Sequence, residues 1–182
     1  MEEYGNNRMK TLFGILIGIL SLFSVKGQQI YQSKVVKVHL PNSAVKTSIS
    51  EDTITTGTEE SKIAAIAIAN RKNYYKINRI TLGFWDLSIT EVSRKSLERK
   101  KLELVGLLKM GSATNIMAFI KTFNHMQFII INYDENDSQF YRFYSEYHND
   151  QNIAGYIQFK PEDINKATDL LTQFLNSMEF KS

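Results

Sequence analysis

Three histidines, His39, His125 and His148, are the residues whose chemistry could serve catalysis or metal binding. No two of them stand three or four residues apart and no His-Glu-x-x-His run occurs, so one helix cannot offer a pair to zinc. His39 lies in an alternating run and should point outward from it. His125 and His148 fall at turns. Solvated histidines are the expectation for all three. Asp134-Glu135-Asn136-Asp137-Ser138 begins like a calcium loop. Gln139 then stands where such a loop needs glycine, and Ser145 where it needs a bidentate glutamate. A polar hairpin turn suits the same residues, because Asp and Asn satisfy turn backbone locally. No serine has a Gly-x-Ser-x-Gly setting, and no acid lies inside an apolar run that would raise its pKa for general-acid work. No catalytic residue, metal ligand or cofactor is therefore assigned.

Two further groups remain. The run Arg94-Lys95-Ser96-Leu97-Glu98-Arg99-Lys100-Lys101 is the strongest basic cluster, but Glu91, Glu98 and Glu103 interleave with it at helical spacing. That pattern reads as a salt-bridged, solvated helix face. Phe140, Arg142 and Tyr144 alternate along one strand and Tyr156 lies in the next, so all four should project from one sheet face. Aromatic rings around an arginine are the chemistry of a protein interface. The competing expectation is that another part of the chain, such as residues 42–61, covers them.

These side chains need elements to hold them. Val36, Val38 and Leu40 alternate with polar neighbours in a half-buried strand that ends at Pro41-Asn42. Residues 42–61 read as a Ser/Thr-rich loop with a short strand near Val45–Ile49. Ile63–Ala69 and Tyr74–Leu87 flank Asn70–Asn73 as the arms of a hairpin, with a helix as the alternative for the alanine-rich first run. Ser88-Ile89-Thr90-Glu91 is a capping box that predicts a helix starting at Ser88. Leu97, Leu104, Val105 and Leu108 would be its apolar face, and Gly111 a left-handed stop. A meander follows: Ile116–Phe123, Met126–Tyr133, Gln139–Tyr147 and Ile153–Phe159. Met126–Tyr133 is apolar on both faces and should be central. Tyr141, Phe143 and Tyr147, with Ile153, Ile157 and Phe159, should face inward. Pro161, with Glu162 and Asp163, opens a last helix whose stripe is Ile164, Ala167, Leu171, Phe174, Leu175 and Met178. The predicted class is α+β: an antiparallel sheet of about five to seven strands with two main helices packed on it.

Residues 1–27 read as a secretory signal peptide. Arg8 and Lys10 precede an apolar core from Leu12, short of the roughly 20 residues that span a bilayer. Val25 and Gly27 suit cleavage between Gly27 and Gln28. An uncleaved anchor is the alternative. Met9-Lys10 directly before the core makes Met9 a second possible start. With no cysteine anywhere, disulfides and cysteine-linked lipid are excluded, which leaves no stable membrane anchor after cleavage. The leader carries three cations and two acids, so a single domain, 28–182, of 155 residues retains a net charge of +2 from the whole chain's +3. That balance gives no argument for nucleic acid.

From the early strand ending at Pro41 to the closing phrase Phe174-Leu175-Asn176-Ser177-Met178-Glu179-Phe180, the chain resembles the PsbP-like fold family, including its DcrB-like exported bacterial members. The long Ser/Thr-rich segment, and the lack of a tryptophan directly after Pro41, depart from many members. The resemblance implies an accessory or docking protein without a shared active site.

The expectation is thus an exported, non-catalytic interaction protein of a Gram-negative envelope, periplasmic or secreted, that docks another envelope protein through Phe140, Arg142, Tyr144 and Tyr156. The alternative is a small apolar-ligand binder with a pocket between sheet and C-terminal helix, near Phe143 and Phe174. An exported hydrolase ranks third, since acids or histidines distant in sequence would have to converge. Mass spectrometry of the precursor should find Met9 as its first residue and of the processed form Gln28; a precursor peptide containing Tyr4 rules out the Met9 start.

Overall fold

A computed structural model describes residues 29–48, 73–88 and 95–181. The leader, Gly27 and Gln28, the predicted strand at 63–69 and residues 89–94 lie outside them. Ten strands run through the described residues: β1 Gln29–Gln32, β2 Val36–Leu40, β3 Ala44–Thr47, β4 Asn73–Ile77, β5 Ile80–Ser88, β6 Thr114–Phe123, β7 Met126–Glu135, β8 Ser138–Ser145, β9 Gln151–Phe159 and β10 Glu179–Phe180. The two α-helices among the described residues are α1, Leu97–Lys109, and α2, Ile164–Asn176. All pairings are antiparallel. One sheet has seven strands in the order β3-β4-β5-β9-β8-β7-β6, and a second has three in the order β1-β2-β10. The α+β class is as expected; the second sheet was not.

The larger sheet is packed on both faces. On the inner face, Phe84, Phe128, Ile130, Phe143, Ile153 and Ile157 meet Phe174 and Leu175 of α2 and Val36 and Val38 of the small sheet. On the outer face, Leu104 and Leu108 of α1 cover Ile129, Ile131 and Tyr133 of β7. This explains β7, which is buried on both sides yet stands next to the edge; β9 is central. A helix over each face buries a strand as fully as flanking strands do.

Asparagine sets the corners. Asn124-His125, Asn136-Asp137 and Asn149-Asp150 all have positive φ, as two-residue hairpin turns demand. Asn78, at φ 54°, folds what read as one run, Tyr74–Leu87, into the β4–β5 hairpin.

The helix starts also differ from expectation. Ser88 ends β5, and α1 begins at Leu97 with Ser96 as its cap; the Ser96 hydroxyl accepts from the Arg99 N–H at 3.3 Å. The helix ends at Met110 in right-handed geometry, so Gly111 is not a left-handed stop. Pro161–Asp163 forms a 3-10 turn into α2. There Asp163 is buried and caps nothing. Its carboxylate instead ties the β4–β5 turn to α2, with Arg79 at 3.0 Å and Lys166 at 3.3 Å. The Arg79 hydrogen bond holds its pKa below the usual carboxylate range. Ile164 is 41% exposed, and Leu170 takes its place in the buried stripe. Tyr147 lies beyond the end of β8 and is not on the inner face of that strand.

Gly155, on β9, sits beneath Phe143. A β-carbon there would stand 2.3 Å from the Phe143 ring and 2.4 Å from the Gly83 carbonyl oxygen. Gly106, inside α1, has nothing within 4 Å. Gly155→Ala should therefore destabilise the protein by about 1–3 kcal/mol through overpacking. Gly106→Ala should stabilise it by about 0.5–1 kcal/mol, since helix-interior glycine costs that much relative to alanine. Urea unfolding of both variants checks the opposite signs.

Candidate functional site

Strand pairing decides which outward side chains become neighbours. Across β7, β8 and β9, Ile131, Arg142 and Tyr156 are in register, as are Tyr133, Phe140 and Gln158, and Ile129, Tyr144 and Ala154. The four predicted interaction residues thus share the outer face, and all four are half-buried. Phe140 stacks on Tyr133 at 5.1 Å and leans on Tyr156 at 6.2 Å. Phe140 and Tyr144 also pack against the cluster beneath α1, so part of each ring serves the core.

Three more aromatic residues join them from distant sequence. Gly83 on β5 pairs with Tyr156 and, on its other side, with Tyr74. The missing side chain leaves room for both tyrosine rings, which lie 6.3 Å apart. Trp85 meets Tyr156 edge-on at 6.4 Å. Tyr74, Trp85 and Tyr133 were missed by the sequence reading. Their alternation within β4, β5 and β7 was legible, but the register that joins them to Arg142 was not. Residues 42–48, the described part of the proposed cover, form a turn and β3 at the far edge of the sheet. Residues 49–61 lie outside the described residues.

The electrostatics follow from burying phenols around a guanidinium. Burial raises the pKa of Tyr144 and Tyr156, and the Arg142 charge partly offsets this. Burial takes Tyr133 up to about 12 against the same opposing charge. Tyr74 also rises to about 12, through burial and then its neighbour Tyr156. Near neutral pH every phenol is protonated, so the site combines one fixed cation, neutral O–H groups and π faces. Such a set can bind a carboxylate or backbone carbonyl and bury apolar area beside it.

The other residues do not converge. His39 is half-buried; its backbone N–H donates to the Ser177 hydroxyl at 3.2 Å. His125 lies in the β6–β7 turn, and His148 packs on Phe180 at 5.8 Å. Among the described residues no group of three or more His, Asp or Glu could hold a metal ion. In the acidic turn, Asp134 accepts from Asn115 at 2.6 Å and Glu135 from Ser112 at 2.7 Å. In the basic cluster, Lys95 pairs with Glu103 at 2.7 Å and Lys101 with Glu98 at 2.6 Å; Arg94 lies outside the described residues. An open groove of about 640 Å³ borders Lys95–Glu98, Ile120, Gln127, Glu146 and Tyr147, away from Arg142. Phe143 and Phe174, expected to line a ligand pocket, are 0% and 1% exposed with ring centroids 5.7 Å apart. They fill the space between sheet and helix themselves.

The folded protein holds the Tyr133 and Tyr74 protons more tightly than the unfolded chain. Their contribution to stability is complete below pH 10 and declines as pH rises from about 10 to about 12. Replacing Arg142 with Met removes the charge that opposes burial, so Tyr144 and Tyr156 should titrate higher still. Ultraviolet difference titration of both proteins measures this; an unchanged or lower phenol titration would place Arg142 away from the rings.

No protein-family model and no curated protein matches the sequence. Among solved structures, the solution structure of cyanobacterial PsbP (CyanoP) from Synechocystis sp. PCC 6803 matches with a TM-score of 0.54 and 9% sequence identity. The match covers 88% of this chain and 96% of that one. The fold is PsbP-like; the narrower resemblance to DcrB-like proteins has no such support.

Proposed function

We propose that this is an exported, non-catalytic accessory protein of a bacterial envelope, and that it docks a partner protein through the outer face of β8 and β9. The observation that carries the reading is Arg142, half-buried in a frame of Phe140, Tyr144 and Tyr156. Interfaces are enriched in arginine and tyrosine because each combines a large contact area with few, directional polar groups. The leader-like residues 1–27 support export, and the PsbP-like fold is compatible with an accessory role. The ligand-binding reading loses its motive once Phe143 and Phe174 fill the proposed pocket.

The test is affinity capture from an envelope extract with wild-type protein and with Arg142→Ala/Tyr144→Ala. Wild type should retain a defined envelope protein in near-stoichiometric yield. The variant should lose it by at least about tenfold, as expected for removal of interface anchors. Circular dichroism and urea unfolding confirm that the variant is folded, and Arg142→Glu, which leaves both tyrosines in place, repeats the test if it is not. Equal capture by folded wild-type and variant protein sinks the assignment of this face.

A further inference from the structure

The outward side of α1 has no role in the packing described so far. Leu104 and Leu108 face the sheet. Leu102, Leu107 and Met110 face away from it and are 70%, 60% and 78% exposed. Gly106 stands among them, and a side chain there would meet nothing within 4 Å among the described residues. At helical spacing Leu102, Gly106, Met110 and Leu107 form one continuous sector. A single exposed leucine needs no explanation; three large apolar side chains on one sector of a 13-residue helix do.

The charges of the same element identify the occupant. From Lys95 to Met110 there are five cations, Lys95, Arg99, Lys100, Lys101 and Lys109, against Glu98 and Glu103, a net charge of +3. Both carboxylates are held within the element: Glu103 by Lys95 at 2.7 Å and Arg99 at 3.7 Å, and Glu98 by Lys101 at 2.6 Å. The Lys95 hydrogen bond, first among several cationic neighbours, holds Glu103 below the usual carboxylate pKa, so it stays ionised and paired. Arg99 and the paired Glu103 fall within the same sector, and Lys100 and Lys109 flank it, so the helix presents outward apolar side chains among surplus cations. That combination suits a helix lying in the plane of a membrane surface.

We propose that α1 docks the protein on an anionic lipid surface, with Leu102, Leu107 and Met110 inserted between headgroups and Arg99, Lys100 and Lys109 against lipid phosphates. A second copy of the chain fits this face poorly, because two such helices would oppose like net charges. An acidic protein partner with an apolar patch would use the same residues, and the test separates it from lipid. This surface lies over β6 and β7 and is separate from the Arg142 face, so the two can fail independently.

The chain has no cysteine, so Met110→Cys introduces the sole thiol for an environment-sensitive fluorophore. In the full chain mixed with phosphatidylglycerol-rich vesicles, this probe should shift to the blue and be quenched by lipid spin-labelled near the headgroup. A probe at Asn149→Cys, on the β8–β9 turn, should not. Phosphatidylcholine vesicles, high salt, or added Arg99→Glu/Lys100→Glu should each lower the Met110 signal by about fivefold or more. Adding Leu102→Glu/Leu107→Glu should abolish it, with the circular dichroism unchanged. Four results overturn the proposal: an unquenched Met110 probe on vesicles that carry the protein; equal response to neutral and anionic lipid; shielding without lipid accompanied by a dimer in sedimentation; or the same blue shift with polyglutamate.

Discussion

Two absent side chains let the seven-stranded sheet carry a layer on each face. Gly83 and Gly155 lie on the neighbouring strands β5 and β9, and they point to opposite sides. On the inner side the Phe143 ring crosses β9 where Gly155 offers no β-carbon. That ring meets Phe174, and Phe174 meets Phe84, so the seating of α2 depends on it. On the outer side Gly83 opens the floor on which Tyr74 and Tyr156 rest. Interiors are close-packed, so a methyl group at either position would displace a ring together with what the ring supports. The core and the Arg142 face therefore share one constraint.

The outer face is divided between two uses. α1 takes the half over β6 and β7 and buries Ile129 and Ile131 completely. The half over β8, β9 and β5 keeps its aromatic residues and Arg142. Phe140 and Tyr144 stand at the boundary, each with one side in the α1 cluster and the other toward Arg142. Residues placed this way are held in fixed rotamers by the core, which lowers the entropy lost when a partner orders them.

Much of this was legible in the sequence where a signal is local. Val36, Val38 and Leu40 show the two-residue period, and all are buried in β2. Leu171, Phe174 and Leu175 show the helical one. Three of the turns carry Asn with His or Asp and were found. The turn at Asn78-Arg79 was hidden, because Tyr74–Leu87 holds no proline and its one glycine, Gly83, is a packing site. The capping-box rule favoured Ser88 over Ser96, since Glu91 follows the first and Arg99 the second. The hydroxyl at Ser96 caps without the reciprocal acid. β1 and β10 give no local signal, because they exist only through pairing with β2. The same limit governs the site: alternation put Phe140, Arg142 and Tyr144 on one face, but Trp85 and Tyr74 join them through a register no short window contains.

The middle position of β2 in the small sheet has a consequence for the order of assembly. β6 through β9 pair with their sequence neighbours across connections of two to five residues, so that half of the large sheet can form as it emerges. β2 gains its second neighbour only when Phe180 arrives, and the Lys37–Glu179 contact closes a loop of 142 residues. Lys181 fastens the same join, its N–H donating to the Val35 carbonyl at 2.9 Å. Until then one side of β2 presents unpaired backbone while its valines wait for their cover. β10 therefore completes the small sheet, and a chain lacking it would keep its hairpins but leave an adhesive strand open.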